Sequence, residues 1–177
     1  MRTIRPGRLT FLAMTIFSSA AIGAGPLAVP DFSGKWTIEP ATSVAGPGRG
    51  DMGSGWGPVL TITQDANRLT VEYAFFTRGD MQAPLKFVYA LDNSETRNSV
   101  MMGRGVQQQS SRAAWDGDKL VITTIHSFTN PATGKMTTQE VKQTLSLISP
   151  ASLAVETTRA GVLGGPPSTV RTIYRKS

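Results

Sequence analysis

Residues 113–123 read "AAWDGDKLVIT". Apolar and polar positions alternate on both sides of Asp116-Gly117. That dipeptide is a strong hairpin signal, because both central positions of a type I′ turn need φ > 0. "LTITQDANRLTVE" (60–72) and "LSLISPASLAVET" (145–157) repeat the pattern: a strand, a short polar turn, and a strand restarting on leucine. They read as recurring hairpins of one meander.

Outward from there, period two continues almost throughout. The segments are "KWTIE", "PVLTITQ", "RLTVEYAFF", "KFVYALD", "TRNSVMMG", "SSRAAWD", "KLVITTIHSF", "TTQEVKQTLSLI", "SLAVETTRA" and "TVRTIYRK". No segment carries an apolar stripe at i, i+3, i+4, i+7. The expected fold is all-β: an antiparallel meander of about 8–10 strands closed into a barrel, since closure removes the two open edges. One domain is expected over 25–177, with its core at about 31–176 and a Gly-rich loop at 41–57.

The first residues read differently. Arg2, Arg5 and Arg8 precede the apolar run "LTFLAMTIF" and the small residues "SSAAIGAG". This is the layout of a secretory signal peptide. We expect it to span 1–24 and be cleaved, leaving no integral membrane span and a periplasmic or secreted bacterial protein. The chain has no cysteine, so a thiol-linked lipid anchor and stabilisation by disulfides are both excluded. Asn67, Asn93, Asn98 and Asn130 all fail the N-x-S/T sequon. The formal net charge of +6 is inflated by the leader; without Arg2, Arg5 and Arg8, fifteen Lys and Arg face twelve Asp and Glu. No basic cluster other than the leader and "RTIYRKS" remains, so nucleic acid is not an expected partner.

The motif search is mostly negative. "GPGRGDMGSGWG" (46–57) contains a literal G-x-G-x-x-G at Gly48, Gly50 and Gly53. A dinucleotide site needs a strand before those glycines and a helix after them, and "SGWGP" opens no helix. The stretch reads as a strap anchored by Trp56. Arg-Gly-Asp occurs at 49–51 and 78–80, where solvated turns explain it. His126 is the single histidine, too few for a zinc site. Asp116 and Asp118 flank a tight turn, where Asp is favoured for local hydrogen bonds. No nucleophile–base pair and no metal set emerges, so neither an enzyme nor a cofactor is expected. The aromatic and methionine residues are the candidates for a binding surface: Trp36, Trp56, Tyr73, Phe75, Phe87, Tyr89, Met101 and Trp115, with Tyr174 and Arg175 as polar anchors. Most belong to a core, and some line a cavity if the barrel is wide enough.

"DFSGKW" (31–36) resembles the G-x-W signature on the first strand of the calycins, the lipocalins and fatty-acid-binding proteins. The resemblance implies that Trp36 plugs the barrel floor, that Gly34 permits tight entry, and that Arg171 or Arg175 packs across Trp36. The chain also resembles exported bacterial proteins that begin "DFSGxW" and share an "LDxxE" turn (Leu91 to Glu95), a "WDGDxLVI" hairpin (Trp115 to Ile122) and a terminal "YRR"-like strand (Tyr174 to Lys176). It departs from the fatty-acid-binding proteins in two places. Non-helical sequence stands where they insert two helices, and Thr172-Ile173-Tyr174 stands where they carry R-x-Y. Two functions follow as expectations. One is a non-catalytic barrel that binds a small apolar or amphipathic ligand. The other is a structural or interaction protein with a filled barrel and a protein partner.

Overall fold

Each alternating segment has enough β-branched and aromatic residues to form a strand with one face buried. In the computed structural model, which describes residues 29–39, 55–74, 76–77, 80–81, 84–102, 105–129, 134–160 and 166–177, they become β1 (Gly34–Ile38), β2 (Val59–Gln64), β3 (Arg68–Tyr73), β4 (Phe76–Thr77), β5 (Asp80–Met81), β6 (Leu85–Ala90), β7 (Thr96–Met102), β8 (Gly105–Asp116), β9 (Lys119–Thr129), β10 (Met136–Ser149), β11 (Ser152–Arg159) and β12 (Ser168–Lys176). Ten of them form one sheet in the order β6-β3-β2-β1-β12-β11-β10-β9-β8-β7, and β4 and β5 make a separate two-stranded hairpin. Every pairing is antiparallel. The first and last strands join through Trp36↔Lys176 and Ile38↔Tyr174. The fold is therefore the expected all-β meander, a nearly closed barrel of ten strands. No helix occurs among the described residues. The leader at 1–24 and most of the Gly-rich stretch at 41–57 lie outside the described residues.

The seam falls between β6 and β7, which lie side by side without a backbone ladder. Asn98 spans it. Its Nδ2 donates to the Val88 carbonyl (3.0 Å), and its Oδ1 accepts from the Val88 N–H (2.9 Å). One primary amide thus reproduces the paired bonds that a neighbouring strand would give. Thr96 Oγ1 adds a bond from the Ala90 N–H at 3.1 Å.

The short turns 65–67, 91–95, 117–118 and 150–151 lie at one end of the barrel, with both termini of the sheet. The Asp116 hairpin differs in detail from the type I′ expectation. Asp116 pairs with Lys119, so the central residues are Gly117 and Asp118. Only Gly117 has positive φ, at 63°. Glycine first and a negative φ second is the pattern of a type II′ turn. At the same end Gly34 has φ 144°, a backbone that L side chains rarely adopt, and a Cβ there would lie 2.5 Å from Lys176 Cε.

Candidate functional site

The closed end is an aromatic floor. Trp36 is fully buried and donates its indole N–H to the Phe32 carbonyl at 2.9 Å. Phe32 stacks on Trp115, with centroids 5.8 Å apart and planes 9° apart. Lys176 Nζ sits 5.3 Å from the Trp36 ring centroid. This corrects the expectation of an arginine across the floor tryptophan. Arg171 and Arg175 fall on the outward register of β12 and are exposed. Arg175 pairs with Glu39 at 2.6 Å. Register explains the exchange: Trp36 faces Lys176, and the alternate residue Arg175 must point the other way.

At the opposite end, Gly55-Trp56-Gly57 leads into β2 and is held by all three tyrosines of the chain. The Tyr73 hydroxyl donates to the Gly55 carbonyl (3.4 Å), and the Tyr174 hydroxyl donates to the Gly57 carbonyl (3.1 Å). The Trp56 indole N–H bonds the hydroxyl of Tyr89, and the two rings sit 6.5 Å apart. Trp56 is thereby drawn into the barrel. Tyr73 stacks on Phe87 at 5.7 Å. Burial pushes the Tyr73 phenol up to about 12. It raises Tyr89 further still, with a smaller contribution from the nearby Tyr73 and a partial offset from the Trp56 bond. Both of these phenols are therefore neutral donors or acceptors near neutral pH.

The wall facing this cluster changes character along its length. From the closed end, the inward residues of β8 run Trp115, Ala113, Ser111, Gln109. Those of β9 run Leu120, Ile122, Thr124, His126. In β10 they are Leu147, Leu145, Gln143, Val141, and in β11 Leu153, Val155, Thr157, Arg159. Register aligns the change across the sheet. Thr157 pairs with Gln143 and Gln143 with Ile122. One row further, Arg159 pairs with Val141, Val141 with Thr124 and Thr124 with Ser111. Then Gln139 pairs with His126, His126 with Gln109 and Gln109 with Asn98. Asn98, Gln109, Ser111, Thr124, Gln143 and Thr157 are all buried. The Ser111 and Thr124 hydroxyls bond each other at 2.9 Å. Thr157, at 0% exposure, has no hydrogen-bond partner for its Oγ1. No described Asp or Glu falls on the inward register of β8 to β11; the basic groups there are Arg159 and His126. Burial, and then the Arg159 charge, lower the His126 pKa below its usual 6.5.

The predicted residues are thus divided by the fold. Trp56, Tyr73, Phe87, Tyr89 and Tyr174 come together in the interior. Trp36 and Trp115 form the floor beneath them, and Arg175 is outside. Phe75 and the Met101 side chain lie outside what the structure describes, as does the Arg-Gly-Asp at 49–51. Sequence reading passed over the polar wall. Its signal was present: read from the closed end, the inward alternation of β8, β9 and β11 runs apolar and then polar, and that of β10 does so with Val141 interposed. Elsewhere, an outer cleft of about 270 Å³ is lined by Thr37, Ile38, Glu39, Arg175, Lys176 and Ser177. Its ion pair already satisfies the Arg175 charge. Among the described residues no group of three or more His, Asp or Glu side chains could hold a metal.

No protein-family model and no curated protein matches the chain. Among solved structures it is similar to the crystal structure of an asparagine-to-alanine mutant of the fluorescent protein UnaG. The TM-score is 0.48 at 22% sequence identity, over 82% of this chain and 96% of that one.

Proposed function

We propose that this chain is an exported, non-catalytic barrel that binds one small amphipathic molecule in its interior. The polar inner wall carries the reading. A barrel that served only as a packed scaffold gains nothing from buried amides and hydroxyls at these positions, because each costs free energy unless it is bonded. The Thr157 hydroxyl, buried and without a partner, costs about 1–3 kcal/mol as it stands. A ligand with polar groups on one side and an apolar body on the other matches both walls. The rings of Trp56, Phe87 and Tyr89 face the apolar body. In the cell the site is the periplasm or the medium, after removal of residues 1–24.

The test is a titration with N-phenyl-1-naphthylamine, a neutral apolar fluorophore. We expect saturable emission at one probe per chain, excited by energy transfer from tryptophan. Emission that rises without saturation would leave the filled scaffold as the better reading.

A further inference from the structure

The interior reading says that a molecule enters; one side chain of the protein already stands where it would lie. Resting on that reading, we propose that Trp56 is an internal stopper. In the unliganded barrel its ring fills the slot of the apolar body, and it withdraws toward the mouth as that body enters, to face it from there.

Three observations converge on it. First, Gly55-Trp56-Gly57 lies across the interior, not along one wall. The Gly55 carbonyl accepts from Tyr73 of β3 at 3.4 Å. On its other side, a methyl group built on Gly55 would lie 3.5 Å from Arg159 Nη2 and 3.6 Å from Gln143 Nε2. These side chains come from β11 and β10 and are held by interactions of their own. β3 and β10 stand five places apart in the ten-strand order, on opposite sides of the barrel. Second, the ring reaches deep. Its N–H meets the hydroxyl of Tyr89, the last inward residue of β6 before the floor turn at 91–95. Trp56 is only 7% exposed. Third, the segment is held by detachable bonds. Residues 55–57 belong to no strand. Regular pairing resumes at Pro58, whose carbonyl accepts from the Ile38 N–H at 2.8 Å. The hydroxyls of Tyr73 and Tyr174 hold the two glycine carbonyls, the first at more than the usual O–H···O distance. Gly55 has φ +82°, and a Cβ on Gly57 would lie 2.8 Å from Tyr73 Cδ2.

A ring carried on a paired strand is a fixed part of the wall. A ring carried on three residues held by side-chain hydroxyls leaves without breaking a ladder, as a local opening. The chain then fills its own apolar interior while unliganded, and a ligand competes with Trp56 for the same space. The apparent affinity is the intrinsic one reduced by the fraction of chains whose ring is withdrawn.

The test combines N-phenyl-1-naphthylamine with the indole N–H resonances of nitrogen-15-labelled protein, which has three tryptophans. The Trp56 resonance is identified by its loss in Trp56→Phe. Without probe its N–H is expected to exchange slowly with water, like that of Trp36 on the Phe32 carbonyl. At saturating probe it is expected to exchange at least about tenfold faster, with Trp36 unchanged. Tyr174→Phe keeps the ring, opens no cavity and deletes the bond to the Gly57 carbonyl. It is expected to bind the probe about fivefold more tightly, because the stopper is held less firmly. Saturable binding with a Trp56 N–H that stays protected overturns the stopper and leaves the binding reading standing. A folded Tyr174→Phe protein that binds the probe no more tightly than wild type does the same. Saturable binding by neither wild type nor Tyr174→Phe overturns both.

Discussion

His126 is the residue whose ionisation reports most directly on the interior. It lies inward on β9, between Gln139 of β10 and Gln109 of β8, both uncharged. Arg159 of β11 is the charged group acting on it, after burial. Both effects disfavour the imidazolium, so the folded chain binds its proton less readily than the unfolded chain. The sign follows from linkage. Stability is complete above the unfolded value of 6.5 and is lost as pH falls from there through the lower folded value. The carboxylates whose pKa values are lowered, Asp31, Asp92 and Glu95, lose their contribution only in a more acidic range. Urea unfolding between about pH 7.5 and about pH 5.5 should therefore show a falling midpoint that is flat in His126→Gln. A wild-type midpoint that is flat, or that rises on acidification, contradicts the inward placement. At the same scale Trp36 and Gly34 were legible from "DFSGKW", because a bulky floor residue and a glycine entry leave a local signature. Lys176 over Trp36 was not. Which of two adjacent side chains faces inward depends on the pairing of β12 with β1, and a one-residue shift exchanges them.

The strands explain why most of the fold could be read directly. Each has one wet and one dry face, so period two appears in the sequence, and the expected segments match the observed strands to within a few residues. The exceptions have physical causes. β8 begins at Gly105, earlier than "SSRAAWD" suggests, because the preceding "GVQQQ" puts a polar residue, Gln109, at a buried position and so shows no apolar alternation. "RLTVEYAFF" breaks after Tyr73, and Phe76–Thr77 pairs instead with Asp80–Met81. The polar wall was missed for the same reason as the start of β8: a buried amide looks like a solvent-facing one until the register is known. Closure of the seam is likewise a property of paired elements. Asn98 gives Val88 both of its bonds across the gap, so Asn98→Leu should leave a buried N–H and C=O without partners, at a cost of about 2–4 kcal/mol. Amide hydrogen exchange is the sharper readout. Val88 should lose its protection well before the amides of β10 and β11. Unchanged protection at Val88 would mean that the seam is held by something other than this side chain.

For the whole molecule, the ten strands enclose an interior of two kinds. Rings on β3, β6 and β12, with Trp56 among them, form one side. Amides, hydroxyls and two nitrogen bases form the other. The floor of Phe32, Trp36 and Trp115 and the seam at Asn98 are structural, and the chain needs them whatever it does. The polar rows of β8 to β11 are not required by packing, and the proposed function rests on them. On the proposed function these rows meet a molecule that is not part of the chain. Mass spectrometry of the gently purified protein, compared under native and denaturing conditions, is the measurement that separates the two readings. A recurrent extra mass, one per chain, that is lost on denaturation is the expected result. A bare chain mass under native conditions, unchanged after incubation with N-phenyl-1-naphthylamine, would contradict the proposed function.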